Sequence, residues 1–489
     1  MKSSKKSQWT TSNYFKTITL FVGQAVLLAL IFLGALAFEL DGLMKVPTFF
    51  SDKENIFESA YIVIAVVLVL VLVYAYFFTE KRDFLKKSSN VIMIFTIVNV
   101  SIILCFLFGK INTYLRPFAL CALLSLILID KRSAIFLNCV FSILMLLCDM
   151  FVLTHTEYNR AIYISLIINF ISGILAVFII DGKGSRAKVI ASAFLISLPV
   201  VISAICLEFT RDITKLSLTA LWALGSGVLA DGIMMILLPF FELTFGVLTN
   251  FRLSELTDHK SKLVKCLIEL APGTFNHTII VAMLAEACSN AINENPLLAR
   301  ACAYYHDIGK IKKPEYFTEN QSGRNPHDEL LPELSTDIIR AHAKDGYDLI
   351  RKWRLPEVLA DSANQHHGTL PIRYFYMKAS KFTDGDLDIE QFCYYGPKPQ
   401  TKINAIIMIC DACEAKVRTV GNRTHENVDK AVKEIIEERM DMDQFTDCDI
   451  TFKELDVIRN TITNTLAGVY HERVKYPKLK KGSKNGKNA

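Results

Sequence analysis

The chain has 489 residues, of which 52% are hydrophobic, and its mean hydropathy is +0.31. This length allows two or three domains, but the apolar content excludes an ordinary soluble protein. The formal net charge is only +5, which indicates no nucleic-acid partner, and the 12 scattered cysteines do not resemble a secreted disulfide framework.

The first half of the chain contains apolar segments long enough to cross a bilayer. A hydrocarbon core of about 30 Å requires about 20 apolar residues in helical form. Eight candidates occur, at 17–39, 59–78, 90–109, 112–130, 134–154, 161–181, 187–207 and 217–249. Arg116 and Pro117 interrupt the fourth of them. The sequence therefore predicts a polytopic helical membrane domain over residues 17–250, preceded by a basic tail over residues 1–16.

Basic residues alternate between the loops, and such residues accumulate on the cytoplasmic side of a membrane. The tail before the first segment carries Lys2, Lys5, Lys6 and Lys16 without an acid. Every second connection is also basic, with Lys or Arg at 81, 82, 86 and 87, at 131 and 132, at 183, 186 and 188, and at 252, 260 and 262. An even number of spans then leaves both termini in the cytoplasm of a multi-pass cell-membrane protein.

Three acidic residues, Asp149, Asp231 and Glu242, lie inside the apolar segments. An ionised group in the membrane costs a few kcal/mol or more unless it is paired or hydrated. Two interpretations remain open. These residues line a ligand pocket, or they pair with polar groups of neighbouring helices or lie near a membrane interface.

After residue 250 the chain becomes mixed polar with helical periodicity, which predicts an all-helical domain over residues 251–475. Helices are expected to begin at Pro272 and at Asn295-Pro296, and the second is expected to be buried and to end at Gly309. Residues 476–489 are rich in Lys, Gly and Ser, so they are predicted to form a disordered basic tail. The fold class is thus all-α throughout.

Histidine and aspartate residues recur in the second half in settings suited to metal binding. Neutral imidazole and carboxylate are ligands for divalent metals, and a carboxylate can bridge two of them. Asp411 lies in an apolar run, where an unpaired carboxylate would be expensive to bury. The candidate ligands are His277, His306, Asp307, His342, His366, His367 and Asp411. His327, in a turn-rich loop, is left out of this set.

The order of these candidates follows the H…HD…D signature of the HD phosphohydrolase superfamily, and the added histidines match its dinuclear phosphodiesterase branch. The segments APGTFNHTIIVAMLAEA, ARACAYYHDIGKIKKPEYFTENQ and GPKPQTKINAIIMICDACEA resemble the membrane-anchored seven-transmembrane receptor HD family. The similarity extends over roughly residues 60–475. Two departures are visible: only residues 40–58 stand where the family usually has a large extracytoplasmic domain, and Asn276 stands where it often has histidine.

The resemblance implies a phosphodiesterase that hydrolyses cyclic di-AMP to linear pApA with two divalent ions, manganese or iron. All seven family ligand positions hold a competent residue here. Asp307 is expected to bridge the ions. One ion is expected on His277, His306 and Asp411, and the other on His342, His366 and His367.

Three further residues are candidates for contact with substrate. Lys310, directly after the His-Asp pair, is expected to hold phosphate oxygens during catalysis, and the alternative is a helix-end cation that interacts with the helix dipole. Tyr394 and Tyr395 precede a Gly-Pro-Lys-Pro turn and could stack on adenine, although core packing is the alternative for at least one of them.

Two other functions remain open at this point. HD enzymes that cleave cyclic di-GMP carry a Gly-Tyr-Pro marker after the double histidine, whereas this chain reads HHGTLPIRYFY, which favours cyclic di-AMP. A receptor that binds nucleotide without turnover is the second alternative, and the complete ligand set argues against it. The predicted partners are cyclic di-AMP and the lipid bilayer, and the oligomeric state is left open.

Overall fold

The computed structural model describes residues 9–153, 159–182, 185–208, 212–382 and 386–469. The chain divides into two compact units, Met1–Ser254 and Glu255–Ala489. No β-strand occurs in the described residues, so the predicted all-α fold is confirmed. The basic tail predicted over residues 476–489, and residues 1–8 of the predicted N-terminal tail, lie outside the described residues.

The first unit is built from apolar helices. In chain order they are α1 (Thr11–Glu39), α2 (Val46–Phe49), α3 (Lys53–Glu80), α4 (Arg82–Leu85), α5 (Ser88–Ile111), α6 (Leu120–Leu128), α7 (Lys131–Leu153), α8 (Asn159–Ile180), α9 (Arg186–Ile190), α10 (Ala193–Glu208) and α11 (Ile213–Phe245). Six helical segments of the described residues are long and apolar enough to cross a membrane, and two, Thr113–Leu128 and Ser165–Ile180, are shorter.

The fourth predicted span, 112–130, is not one continuous helix. A 3₁₀ turn, Thr113–Leu115, is followed by an irregular stretch and then by the nine-residue helix α6. Pro117 lacks a backbone N–H, and the residue before a proline is disfavoured in the α-helical region. Arg116 accordingly has an extended ψ of 132°. The Arg-Pro pair therefore divides the segment, and a prediction of one continuous helix over 112–130 is wrong.

The Arg116 side chain, in this irregular stretch, contacts a buried acid. Its Nη1 donates to Asp149 Oδ2 at 2.6 Å and to Ser165 Oγ at 2.9 Å, while its Nη2 donates to Asp149 Oδ1 at 3.0 Å. Both charged side chains are less than a tenth exposed. Glu242 is also partnered, since Arg186 Nη2 lies 3.6 Å from it. For these two acids the structure supports pairing, the second of the two interpretations.

Polar side chains also join α1 to α5. The amides of Gln24 and Asn99 are both buried and exchange two hydrogen bonds, of 2.7 and 3.0 Å. Such interhelical bonds satisfy polar groups that lipid cannot satisfy. The first unit is therefore held together by a small number of internal polar pairs in addition to apolar packing.

The helix α12 (Asn250–Leu256) contains the boundary between the units. The second unit continues with α13 (Lys262–Leu270), α14 (Pro272–Ala291), α15 (Pro296–Tyr305), α16 (Pro332–Lys352), α17 (Glu357–Gln365), α18 (Arg373–Ala379), α19 (Lys402–Thr419), α20 (His425–Asp441) and α21 (Phe452–Val469). Its core includes Val281, Tyr305, Ile350, Ile406 and Ile458, each fully or almost fully buried.

Two predicted helix starts are confirmed, because α14 begins at Pro272 and α15 begins at Pro296, with the Asn295 side chain accepting a hydrogen bond from Leu298 N. The predicted end of α15 at Gly309 is wrong. The α-helix ends at Tyr305, and a 3₁₀ helix, Ile308–Lys312, follows. A side chain at Gly309 would clash with the backbone carbonyl of His342, so this turn packs directly against the backbone of α16.

Candidate metal centre

Five segments of the second unit bring the seven predicted ligands together. His277 lies on α14, His306 and Asp307 directly follow α15, and His342 lies on α16. The doublet His366-His367 directly follows the end of α17, and Asp411 lies on α19. Five of these residues are buried, whereas the side chains of His367 and Asp411 are 23% and 15% exposed. The centre is thus internal but open on one side.

The ligand atoms form two groups that share Asp307. In one group, ligand atoms of His277, His306 and Asp307 lie within 4.8 Å of one another, and in the other so do atoms of Asp307, His342, His366 and His367. Asp411 adjoins the first group, because its Oδ1 is 2.9 Å from His277 Nε2 and 3.9 Å from His306 Nε2.

Each carboxylate oxygen of Asp307 faces a different group. Oδ2 lies 3.4 Å from His306 Nε2 and 3.9 Å from His277 Nε2. Oδ1 lies 3.4 Å from His342 Nε2 and 3.6 Å from His366 Nε2. A carboxylate in this position can bind one cation through each oxygen, which is the arrangement that a bridging ligand requires.

Three of the histidines are oriented by the backbone. The Nδ1 atoms of His306, His342 and His366 lie 2.6, 2.6 and 2.8 Å from the carbonyl oxygens of Ala303, Ile339 and Ala363, each three residues earlier. A carbonyl only accepts, so Nδ1 must carry the proton and donate it. When such a ring is neutral, its Nε2 atom is left with a lone pair, as a metal ligand requires.

These lone pairs converge where a cation fits. His342 Nε2 and His366 Nε2 are 3.2 Å apart. The separation matches two nitrogens bound at about 2.1 Å to one ion with an angle near 100°. His306 Nε2 is buried and has no hydrogen-bond partner in the described residues. The donor set therefore fits divalent metal.

The charge states follow from burial and neighbours. Burial lowers the pKa of His306 to about 4 and that of His342 to about 3, so both rings are neutral at physiological pH. Burial opposes charge on His277 as well, but hydrogen bonds with Asp411 and Glu414 outweigh it and raise the pKa to about 10. Metal uptake at His277 must therefore displace the Nε2 proton.

Lys310 stands between two carboxylates at the edge of the centre. Its Nζ lies 2.7 Å from Asp307 Oδ2 and 2.9 Å from Glu319 Oε1, and its side chain is only 12% exposed. Burial works against its charge, but these two acids raise the pKa of Lys310 above its usual range. Its ammonium group is therefore fixed at the cluster, and it does not extend freely into solvent from a helix end.

The two tyrosines have different surroundings. The ring of Tyr394 stacks on the imidazole of His367, with centroids 4.3 Å apart and planes 23° apart. Tyr395 is 79% exposed, and the Arg340 guanidinium lies 4.1 Å from its ring centroid. Tyr394 thus packs on a candidate ligand, whereas one side of Tyr395 remains available for a planar group.

Sequence reasoning missed two acids that support the site. Glu414 lies 2.5 Å from His277 Nδ1, and Glu319 pairs with Lys310 and accepts from Thr274 Oγ1 at 2.9 Å. Glu414 follows Asp411 by three residues on α19, a spacing that places both on one helical face and could have revealed it. His327, left out of the ligand set, is buried with its Nε2 3.0 Å from the Tyr316 carbonyl, away from the two groups.

The comparisons with known proteins agree with this arrangement. Residues 56–249 match the family described as a 7TM receptor with intracellular HD hydrolase, and residues 274–416 match the HD domain. The second unit is thus an HD domain with a divalent metal site, carried by a multi-pass membrane unit. The chain belongs to the family of seven-transmembrane receptors with an intracellular HD hydrolase domain.

Named relatives are similar over most of this chain. The cyclic-di-AMP phosphodiesterase PgpH of Bacillus subtilis (strain 168) is 35% identical over 457 residues, which cover 91% of this chain and 62% of the relative. The protein of the same name from Listeria monocytogenes serotype 1/2a (strain 10403S) is 35% identical over 446 residues, which cover 89% and 61%. This chain therefore spans about three fifths of the length of these relatives.

A solved structure is similar to the second unit. The crystal structure of the L. monocytogenes PgpH HD domain in complex with cyclic di-AMP is 47% identical, with a TM-score of 0.42, and the match covers 44% of this chain and 99% of that chain.

Proposed function

We infer that this protein is a membrane-anchored phosphodiesterase that hydrolyses cyclic di-AMP to linear pApA at a site for two divalent ions, manganese or iron. The observation that carries the proposal is the pair of ligand groups that share Asp307, with one carboxylate oxygen directed to each. Two relatives named cyclic-di-AMP phosphodiesterase support the choice of substrate.

Two divalent ions held by these two groups would supply a nucleophile at neutral pH and neutralise charge at phosphorus. The residues of the chain position these elements. Asp307 directs one carboxylate oxygen to each group. The ammonium group of Lys310 lies 2.7 Å from Asp307 Oδ2. A phosphate bound beside Asp307 would lie within reach of this ammonium group, which can stabilise the charge that develops on non-bridging oxygens.

Hydrolysis by the purified full-length chain tests the proposal. Protein stripped with a chelator and reloaded with Mn²⁺ is expected to convert cyclic di-AMP to pApA, and the stripped protein should be inactive, because the ligand set alone provides no nucleophile. Cyclic di-GMP serves as the comparison substrate and should turn over more slowly. Binding of cyclic di-AMP without hydrolysis by the loaded protein would support a non-catalytic receptor instead.

Tyr395 is proposed to stack on an adenine of the substrate. Base stacking on an aromatic side chain contributes about 1–3 kcal/mol, so Tyr395→Ala should raise KM for cyclic di-AMP by roughly 5- to 150-fold, with Tyr395→Phe close to the parent. Steady-state kinetics measures this. Tyr374→Ala, at another exposed tyrosine, is the matched control. An unchanged KM in Tyr395→Ala would exclude the stacking role.

Tyr394 is proposed to contribute mainly through His367. Because its ring stacks on that imidazole, Tyr394→Ala should lower kcat and metal content more than it raises KM. The same kinetic series separates this effect from that of Tyr395. A rise in KM alone would assign Tyr394 a direct substrate contact.

The proposal places the HD domain and both termini in the cytoplasm, with a membrane domain over residues 17–250, an HD domain over 251–475 and basic tails at both ends. Support comes from the basic residues in alternate loops. A reporter enzyme fused after residue 250 should report cytoplasm, and one inserted near residue 50 should report the outside. A cytoplasmic signal at residue 50 would require a different number of spans before it.

A further inference from the structure

Glu414 is a buried carboxylate that supports a candidate ligand without belonging to the ligand set. It is 1% exposed and lies on α19, three residues after Asp411. Its Oε2 is 2.5 Å from Nδ1 of His277, while Nε2 of the same ring is 2.9 Å from Asp411 Oδ1. One helix therefore contacts both nitrogens of this imidazole, Asp411 on the ligand side and Glu414 on the opposite side.

This arrangement differs from that of the other oriented histidines. His306, His342 and His366 each direct Nδ1 to a neutral backbone carbonyl, whereas His277 directs Nδ1 to a carboxylate. A hydrogen bond to an ionised acceptor is roughly twice as strong as one between neutral groups. It also increases the electron density of the ring and makes Nε2 a better metal ligand.

The hydrogen bond between Glu414 and His277 affects one of the two ligand groups. Glu414 acts on the group of His277 and His306, next to which Asp411 also lies. Asp307 belongs to both groups, and Asp411 also approaches the second group, with its Oδ2 3.9 Å from His367 Nδ1. The difference between the groups therefore lies in the carboxylate that is hydrogen bonded to Nδ1 of His277.

We propose that Glu414 is a positioning residue that fixes His277 with Nε2 as its ligand atom and makes the position at His277 and His306 the tighter of the two metal positions. The inference rests on the proposed two-metal site and states which of its two positions binds an ion more tightly. Arg418, one turn further along α19, also contacts this acid, with its Nη1 3.8 Å from Glu414 Oε1.

Metal binding by the full-length protein tests this role. Mn²⁺ affinity is measured by chelator competition, and metal content by mass spectrometry, for the parent, Glu414→Gln and Glu434→Gln. Glutamine keeps the size and an acceptor oxygen but removes the charge. One of two Mn²⁺ equivalents should bind about 10- to 100-fold more weakly in Glu414→Gln, with the other within about twofold of the parent.

A control variant and a second variant show which metal position Glu414→Gln weakens. Glu434 is an exposed acid that pairs with Lys416 on the surface, so Glu434→Gln should leave both affinities unchanged. His342→Ala should remove the weaker position, and Glu414→Gln in that background should then weaken the equivalent that remains. Glu414→Asp, which keeps the charge but shortens the side chain by one methylene, provides a further variant if Glu414→Gln does not fold.

The outcomes separate this inference from the proposed function. Parent protein that binds fewer than two ions would contradict the two-metal site itself. Parent protein with two ions, together with unchanged affinities in Glu414→Gln, would overturn only the role of Glu414. Equal weakening of both equivalents, with a lowered melting temperature of the metal-free variant, would assign Glu414 a purely structural role and also overturn the inference.

Discussion

Asp307→Ala is expected to remove most bound metal and to abolish measurable turnover while the helical fold survives. Its two oxygens face different ligand groups, so a single substitution removes a ligand from both. Loss of one charge-stabilising group in an active site already lowers kcat by about 10²–10³, and loss of the shared ligand should exceed this. Lys310 would also lose one of its two acidic partners.

Metal content, cyclic di-AMP hydrolysis and far-UV circular dichroism check this prediction together. Asp429→Ala is a suitable control, because Asp429 pairs with Arg459 between α20 and α21 and should affect neither metal nor activity. His342→Ala and His367→Ala should each lose mainly one metal equivalent. Full activity in Asp307→Ala would rule out the bridging role.

In the first unit, Arg116→Leu and Asp149→Leu are each expected to destabilise the protein by about 3–5 kcal/mol, because each leaves one charge buried without its partner. The pair is bidentate and less than a tenth exposed, so neither charge can reach solvent easily. The double variant removes both charges and should recover most of the loss, since apolar pairs often replace buried ion pairs at little net cost.

Thermal unfolding in a fixed detergent, with the fraction of monodisperse protein after heating, measures these differences. Lys131→Leu is the matched control, because Lys131 pairs with Asp181 but is about two fifths exposed, and such pairs contribute little to stability. A double variant whose loss of stability equals the sum of the two single losses would show that the two charges do not act as a pair.

The seven candidate ligands lie close together in the structure, and the sequence could point to them because residue type alone identifies groups able to bind a metal. Histidines and aspartates inside apolar segments are expensive unless something binds them, so they are visible without a structure. The helix starts at Pro272 and Pro296 could also be predicted from the sequence, since proline at the first helical turn is a local signal.

The end of α15 could not be predicted from the sequence in the same way. Ile308 continues the apolar face of the helix in the sequence, but the chain turns into a 3₁₀ helix that packs Gly309 on the backbone of α16. That contact joins residues far apart in the sequence. Glu319 was missed for the same reason, because it and Lys310 become neighbours only in the folded protein. The spacing of Glu414 after Asp411 is visible in the sequence, but its contact with His277 is not.

In the membrane unit, the contacts of the interrupted fourth segment also could not be predicted from the sequence. The sequence located Arg116 and Pro117 as an interruption, and it left open whether Asp149 lines a pocket or has a partner. Hydropathy averages over a window and treats an arginine as a penalty at its own position. The pairing of Arg116 with Asp149 and Ser165 depends on how three separate segments pack.

The hydrogen bonds from His306, His342 and His366 to carbonyls three residues earlier make the direction of each ligand a property of its own helical turn. Side chains around the centre can therefore change in size without redirecting these nitrogens. A one-residue insertion before His342 in α16 is different, because it rotates the ring by about 100° around the helix axis. In this part of the molecule, substitutions should be tolerated far more readily than insertions or deletions.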